Sequence, residues 1–349
     1  MPCYLPRLAQ LGKSLLALSL CALTACSGIA IDKNNPRYSQ LAHSYEIKGL
    51  PHHPQINDQC GPASLATMLG AQGINASPEQ LRDKIYIPGK EGAVTTEMVA
   101  RARRYGLLVY PLKPDLNDVL TEINAGNPVL VMQNLAFAWL PRWHFSVAMG
   151  YDLNQQTISL RSGDKLKHQV AFDLFVKTWR RANSWAVVIK QPQQLPATAS
   201  ATEAIQAANH LEQVGEVQAA LAAYQAVLNA WPQQTLANFA AGNAAYAQGN
   251  YAQAQQYYAA YLQAQPLATQ GWNNLAYTLI KLNCPVQAKQ AINCALAIKP
   301  ADKNLQASLK EIQNDSAAAI KVEAKTQSQC QLSPCPQPSR AANSLSAMP

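Results

Sequence analysis

The sequence lacks the marks of several large protein classes. Beyond residue 26, no apolar run approaches the roughly twenty residues that a transmembrane helix needs. There is no Gly-x-x-x-x-Gly-Lys-Ser/Thr phosphate loop, and no Cys-x-x-Cys pair or histidine cluster that would bind zinc. The net charge of +8 is spread along the chain without a nucleic-acid-binding module or aromatic stacking platform. The sequence therefore predicts no cofactor, no metal and no nucleic-acid partner.

The first residues have the pattern of an export signal. Arg7 and Lys13 precede a short apolar run, which ends in Leu-Thr-Ala-Cys26. This run is too short to span a membrane and matches a signal peptide, and its last four residues match the bacterial lipobox. Cys26 is therefore the predicted lipidation site, and its acyl chains would hold the chain at a membrane. Ser27 is not the Asp that retains lipoproteins in the inner membrane, so we expect the outer membrane of a Gram-negative cell, facing the periplasm.

One cysteine stands at a predicted helix start. Cys60 precedes Gly61, which suits the cap position, and Pro62, which suits the first turn. Apolar residues follow at helical spacing over 65–69. Cys60 would lie at the positive end of the helix dipole, which favours the nucleophilic thiolate. Gln55, five residues upstream, would supply an N–H donor for an oxyanion.

A histidine is available as the base. After a short buried-strand pattern over 129–132, His144 opens a second strand in which Phe145, Val147 and Met149 alternate with small residues. A strand-opening position lies at the rim of a sheet, where a side chain reaches a cleft. The other five histidines lie in irregular or charged segments, or in a helical region of different character. We therefore pair His144 with Cys60.

These two segments resemble a C39-type cysteine peptidase domain, a branch of the papain-like fold. Gln55, then Cys60-Gly at a helix start, then His144-Phe-Ser-Val-Ala-Met-Gly-Tyr-Asp follow the family pattern, and the resemblance covers residues 51–190. It implies that His144 takes the proton of the Cys60 thiol and later protonates the leaving amine. Gln59 is the alternative to Gln55 for the oxyanion site.

The third catalytic position departs from the family pattern. Members carry an Asp, usually before Pro, some sixteen to twenty residues after the histidine. Here Ser162 occupies the aligned place and Asp164 lies two residues on. We take Asp164 as the predicted orienting acid. Ser162, or a backbone carbonyl or water, are the alternatives, and loss of such a group lowers rate without removing the nucleophile.

Beyond this domain the sequence repeats with a period of 34 residues. One column of the repeat holds proline, a second holds glycine or asparagine, and a third holds alanine. A fourth column holds Tyr224, Tyr258 and Ile292. Such a period is the tetratricopeptide pattern, in which small residues let paired helices approach. We expect six or seven helices, with both tyrosines buried. Repeat arrays of this kind bind a protein partner in a concave groove. The columns are Pro232, Pro266 and Pro300; Gly215, Gly249 and Asn283; and Ala220, Ala254 and Ala288.

The predicted fold class is an α+β papain-like cysteine peptidase domain followed by an all-α tetratricopeptide-repeat solenoid. Helices precede strands in the first part, so the cysteine lies on a helix and the histidine on a sheet. The predicted order is signal peptide 1–25, tether 26–50, peptidase domain 51–190, an uncharged linker 191–202, about three repeats 203–315 and a disordered tail 316–349.

Four cysteines remain in the C-terminal part. Cys284 and Cys294 lie about 15 Å apart along one predicted helix and so cannot pair with each other. Cys330 and Cys335 either close a small loop or reach back to the repeats. An even set suits an oxidising compartment.

The sequence thus predicts a lipid-anchored periplasmic cysteine peptidase acting on a peptide or protein, with repeats that recruit the substrate or a partner. Two alternatives remain open: a non-catalytic adaptor that scaffolds an envelope complex, and a peptidoglycan-directed amide hydrolase. No exporter is fused to the domain, so processing of a double-glycine leader is not assumed.

Overall fold

A computed structural model describes residues 36–54, 59–87, 92–319, 330, 332 and 334–336. The first part of the chain is a β-sheet with helices on both faces, as the α+β prediction requires. Its elements are β1 (Ser44–Glu46), α1 (Cys60–Gly70), α2 (Pro78–Ile85), β2 (Tyr86–Ile87), β3 (Gly92–Ala93), α3 (Thr95–Arg103), β4 (Leu108–Pro111), α4 (Leu116–Asn124), β5 (Val129–Asn134), β6 (Trp143–Asp152), β7 (Thr157–Ser162), β8 (Lys165–Ala171), α5 (Phe172–Arg180) and β9 (Ala186–Lys190).

The main sheet has seven strands in the order β4-β9-β5-β6-β7-β8, with β1 also paired to β6. Every pairing in it is antiparallel. The first residues of β6 pair with β5 alone, because β7 joins β6 only from Val147 onward. The start of β6, which carries His144, therefore lies at an incompletely paired edge of the sheet.

The two faces of the sheet belong to two different cores, because side chains of a strand alternate between faces. Leu130 and Val147 pack in one apolar cluster with α1, α2 and α3. Val131 and Ala148 pack in the other, with α4 and α5. The histidine strand is thus packed on both faces, which fixes its position.

Local predictions from the sequence hold for most of this domain. The backbone N–H of Ser77 donates to Gln80 Oε1, and the Gln80 N–H donates to Ser77 Oγ, so a capping box opens α2. The prediction that Gly61 caps the cysteine helix is wrong: α1 begins at Cys60 itself, with Gln59 at the N-cap. Strand β8 was not predicted, because its sequence is largely polar and its side chains are mostly exposed.

The C-terminal part contains seven helices within residues 201–319, as predicted. They are α6 (Ala201–Gln213), α7 (Val217–Ala230), α8 (Thr235–Ala247), α9 (Tyr251–Ala264), α10 (Thr269–Lys281), α11 (Pro285–Ile298) and α12 (Lys303–Ala319). Tyr224 and Tyr258 are both buried, which confirms the prediction. Their hydroxyls donate to Glu212 Oε2 at 3.1 Å and to Asn243 Oδ1 at 2.7 Å.

The glycine column of the repeat has a backbone cause. Gly215, Gly249 and Asn283 each adopt a positive φ, of 88°, 74° and 58°, at the turn between paired helices. Glycine adopts this conformation without strain, and asparagine tolerates it better than most residues. The column therefore marks the turns that fold each helix back on its predecessor.

Two disulfides join the last repeat to the segment that follows it. Cys284 pairs with Cys330, and Cys294 pairs with Cys335. The expectation that Cys284 and Cys294 do not pair with each other is confirmed, and the small Cys330–Cys335 loop does not form. Both distal cysteines reach back to the solenoid.

The sheet domain and the repeats share a packed junction across residues 191–200. Glu122, which is fully buried in α4, accepts hydrogen bonds from the backbone N–H groups of Ala197 and Thr198 and from the Thr198 hydroxyl. Tyr110 on β4 donates to Glu203 Oε2 at 2.7 Å. The apolar cluster that contains Leu108 and Tyr110 continues without a break into α6. Polar and apolar contacts together fix the first repeat against the sheet.

No helix among the described residues is both long enough and apolar enough to cross a bilayer. The predicted signal peptide, Cys26 and Gln55 lie outside the described residues.

Candidate active site

Cys60 occupies the first position of α1 and is only partly buried. The thiol is outside both disulfides and packs against the apolar cluster that contains Phe145. The first N–H groups of a helix have no partner within it, and the helix dipole adds partial positive charge there. The position therefore suits a nucleophilic thiol, as the sequence indicated.

His144 is the second residue of β6 and is mostly buried. Its Nε2 atom lies 2.7 Å from the hydroxyl oxygen of Ser162, at the end of β7. A neutral imidazole carries its proton on one nitrogen. When Nε2 holds that proton and donates to Ser162, Nδ1 is left as the basic nitrogen.

The structure places Ser162, rather than Asp164, against the ring. Asp164 lies in the two-residue turn between β7 and β8, after Gly163, and its side chain is exposed. Gly163 has a φ of 64°, which lets Ser162 pair directly with Lys165 across a tight hairpin. This tight turn places Asp164 at the tip of the hairpin, although the sequence favoured Asp164 as the orienting acid.

Behind His144, three polar side chains that sequence reasoning missed form a buried chain of hydrogen bonds. The Ser146 hydroxyl donates to Gln133 Oε1 at 2.9 Å, and Gln133 Nε2 donates to the Thr178 hydroxyl at 2.7 Å. Gln133 is the register partner of His144. Ser146, between Phe145 and Val147, and Gln133, directly after an apolar run, were the signals in the sequence that this face carries polar groups.

A cavity of about 180 Å³ opens beside the imidazole. It lies on the face of the sheet that carries α5, since Leu174 and Thr178 of that helix contribute to its wall together with His144. Cys60 belongs to the opposite face, where α1 packs on Phe145. The remaining wall residues are Gln133, Leu135, Leu160, Ser162, His168 and Val170.

The surroundings of His144 disfavour its protonated form. Burial is the main cause, and electrostatic repulsion by Arg142 and His168 acts in the same direction, so the pKa of His144 falls from 6.5 to about 4. The Ser162 hydroxyl is neutral and does not offset these effects as a carboxylate would. At neutral pH the ring is uncharged and competent to accept a proton.

A second cavity, of about 330 Å³, lies among α8, α9 and α10; we call it the repeat cavity. Asn243 is central to it, because its Oδ1 atom accepts from Tyr258 and from Asn274 Nδ2 at 3.0 Å. No charged residue and no histidine occur between Glu216 and Lys281, so these helices offer only amides, hydroxyls and aromatic faces. The cavity is lined by Asn243, Tyr246, Tyr258, Asn273, Asn274 and Tyr277.

Comparison with known families assigns both parts of the chain. Residues 33–187 match the Peptidase C39 like family, and residues 205–269 and 239–302 match the tetratricopeptide repeat. The chain therefore carries a C39-peptidase-like domain followed by tetratricopeptide repeats, as its motifs and its period predicted.

Individual relatives are more distant. DnaJ protein homolog ANJ1 of Atriplex nummularia is 30% identical over 96 residues, which make up 26% of this chain and only 23% of that protein. A C39-like peptidase from Bacillus anthracis is 18% identical, with a TM-score of 0.36, over 42% of this chain and 96% of that one. The first repeat domain of Spaghetti (RPAP3), solved with an HSP90 peptide, is 16% identical, with a TM-score of 0.32, over 34% of this chain and 93% of that one.

Proposed function

We propose that the chain is a lipid-anchored cysteine peptidase of the bacterial periplasm that cleaves a peptide or protein, with Cys60 as nucleophile and His144 as base. The C39-like domain supports the peptidase class. The specific observation that supports the chemistry is the Nε2 contact of His144 with Ser162, since it leaves Nδ1 available for the thiol proton.

In the proposed reaction, His144 Nδ1 takes the proton of the Cys60 thiol as sulfur attacks the scissile carbonyl. The helix N-terminus stabilises the developing oxyanion, with Gln55 as the predicted side-chain donor. The tetrahedral intermediate collapses to a thioester, and the leaving amine takes the proton from His144. Water, deprotonated by the same ring, then hydrolyses the thioester and restores the thiol.

Two features support the proposed location. The lipobox that ends at Cys26 predicts acylation at the outer membrane. The disulfides Cys284–Cys330 and Cys294–Cys335 suit an oxidising compartment such as the periplasm. Labelling of the Cys26→Ala variant with radioactive palmitate should fail where the unaltered chain is labelled.

Within this proposal the repeats recruit the substrate or a partner protein through the repeat cavity. An uncharged cavity with several amides favours a polar, uncharged peptide segment over one that ends in a carboxylate. Asn243 is held by Tyr258 and Asn274, so its orientation is set before any partner arrives.

The adaptor alternative has its own supporting observation. The Ser162 hydroxyl, which contacts His144 Nε2, cannot stabilise an imidazolium as a carboxylate does. A domain that binds without cleaving would need neither the thiol nor the base.

The test is hydrolysis of a peptide library derived from an envelope proteome, read by mass spectrometry of new termini. We expect cleavage by the unaltered chain and none by Cys60→Ala or His144→Ala. Purified peptidoglycan is assayed in parallel, and its release of amide-cleaved fragments would assign the hydrolase alternative instead. Peptide binding without any cleavage by the unaltered chain would assign the adaptor.

A further inference from the structure

The loop between β5 and β6 carries a cluster of exposed apolar side chains. Trp139 is 79% exposed, Phe137 61%, Leu140 59% and Trp143 52%. Together with Leu135 we call these residues the aromatic tip. Isolated exposed apolar residues are ordinary, but a contiguous group of this size marks an interaction surface.

The aromatic tip is held in a defined shape. Asn134 Oδ1 accepts from the backbone N–H groups of Ala136 and Arg142, and Asn134 Nδ2 donates to the Phe137 carbonyl. The Leu135 N–H donates to the Arg142 carbonyl at 2.9 Å. A loop fixed in this way presents its side chains outward without a large further loss of entropy on binding.

The rings of the tip project from the surface rather than line a groove. Phe137 and Trp139 stack on each other, with centroids 5.7 Å apart and planes at 13°. A residue in the wall of a peptide groove is covered on one side, whereas Trp139 is exposed over most of its surface. A protruding pair of rings has the shape of a loop that inserts into a lipid bilayer.

Basic residues lie in the loop of the tip and at the end of α5, which contacts that loop. Arg142 lies within the loop, and Arg181 Nη1 donates to the Ala136 carbonyl at 2.7 Å, which ties the end of α5 to the loop. Lys177 and Arg180 are exposed on the same helix end. No acidic residue occurs between Leu135 and Tyr151. Aromatic rings with arginines at their base are the side chains that the membrane–water interface favours.

We propose that the aromatic tip is a membrane-docking loop that enters the interface of an anionic lipid surface, with the arginines on the lipid headgroups. Apolar burial and headgroup attraction add in such contacts. Because His144 follows Trp143 directly, docking would hold the imidazole close to the bilayer surface. This contact is separate from the predicted acylation of Cys26 and does not depend on catalysis.

The experiment uses the full chain with Cys26→Ala, so that no acyl chain contributes. Vesicles contain phosphatidylethanolamine and phosphatidylglycerol in equal parts, with brominated acyl chains, and matched vesicles contain phosphatidylcholine alone. Tryptophan fluorescence should be quenched on the anionic vesicles, and replacing both Trp139 and Trp143 by Phe should remove most of the quenchable signal. Affinity for phosphatidylcholine should be about tenfold weaker, since the charge attraction is lost.

The variant F137S/L140S should bind anionic vesicles about tenfold more weakly or worse, because two apolar side chains no longer enter the lipid. Leu236→Ser is the matched control, since Leu236 is 60% exposed but lies in the repeats. Circular dichroism verifies that each variant is folded. Unquenched Trp139, equal affinity for both vesicle types, or an equal effect of Leu236→Ser would overturn the proposal. So would an apolar peptide that covers Trp139 in solution while vesicles do not.

Discussion

The sheet domain and the repeats are stabilised by different kinds of contact. The sheet domain buries polar groups, among them Glu122, Gln133, Ser146 and Thr178, and satisfies them with specific hydrogen bonds. Residues 217–280 of the repeats contain no charge, and alanine and glycine pack there against tyrosine rings. The reactive groups, and the neighbours that shift their pKa values, thus lie in the sheet domain. The repeats offer an uncharged surface whose shape is set by close packing.

The repeats also depend on covalent links that the described part of the sheet domain does not have. Replacing Cys284 and Cys330 together by Ala should lower the free energy of unfolding by about 3 kcal/mol, because the unfolded chain gains freedom. Hydrogen exchange should locate the loss in α11 and α12, with the sheet amides unchanged. An equal loss of protection in the sheet and in the repeats would show that the disulfide does not stabilise the repeats selectively.

Acid should act on the sheet domain before it acts on α8 and α9. The pKa of His144 in the folded state, about 4, lies below its ordinary value of 6.5, so its contribution to stability is present above pH 6.5 and is lost as pH falls through about 4. Turnover should fall in the same acidic range, since the base becomes protonated. His144→Gln should lower turnover at neutral pH by about a hundredfold or more and should remove this part of the acid slope.

The absence of acidic, basic and histidine side chains between Glu216 and Lys281 supplies the internal control for that experiment. Amide exchange in α8 and α9 should stay constant between pH 6.5 and 4, after correction for the intrinsic rate. Loosening of these helices before the sheet would count against His144 as the acid-sensitive element.

Glu122 tests whether the two regions are coupled. Glu122→Gln replaces one acceptor oxygen by a donor that faces the N–H groups of Asn127 and residues 197–198, and it leaves the half-buried Lys190 without a nearby anion. We expect a loss of about 2 kcal/mol, read by chemical denaturation. Asp83→Asn, at an exposed position, is the matched control and should change little. If the unfolding of the unaltered chain is a single transition and that of the Glu122→Gln variant splits into two, the junction couples the domains.

Small-residue packing in the repeats is tested at Gly242. A Cβ atom there would lie 2.7 Å from the Tyr258 ring, so Gly242→Ala should cost about 1–2 kcal/mol in thermal unfolding. In a Tyr258→Leu background, the same change should cost less, because the ring is gone. Equal costs in both backgrounds would mean that the close approach is not the cause.

The smallest effects concern the partner of the imidazole. Ser162→Ala should lower turnover by about tenfold or less, since it removes one hydrogen bond that orients the ring. Asp164→Asn, at the exposed hairpin tip, should leave turnover unchanged. Ser162→Asp would place a carboxylate beside the ring, raise the pKa of His144 and shift the acid limb of the rate profile to higher pH. The reverse ranking of the first two variants would restore Asp164 as the orienting acid.

Sequence reasoning succeeded where local rules decide the outcome. The helix at Cys60, the alternation after His144 and the 34-residue period each depend on neighbours along the chain. Ser162 was harder, because its contact depends on a register shift near the end of β7 and on the tight turn at Gly163. The disulfide pairs and the role of Glu122 depend on residues distant in sequence, which spacing alone does not fix.

The packed junction has a geometric consequence for a bound chain. Because Tyr110 and Glu122 fasten the first repeat to the sheet, the span between Asn243 in the repeat cavity and His144 is constant. A substrate held at both places would have a set number of residues between the anchored segment and the cut bond. The position of the cleaved bond would then be set by its distance, in residues, from the anchored segment. Inserting residues into the substrate between these two points would move the cut by the same number.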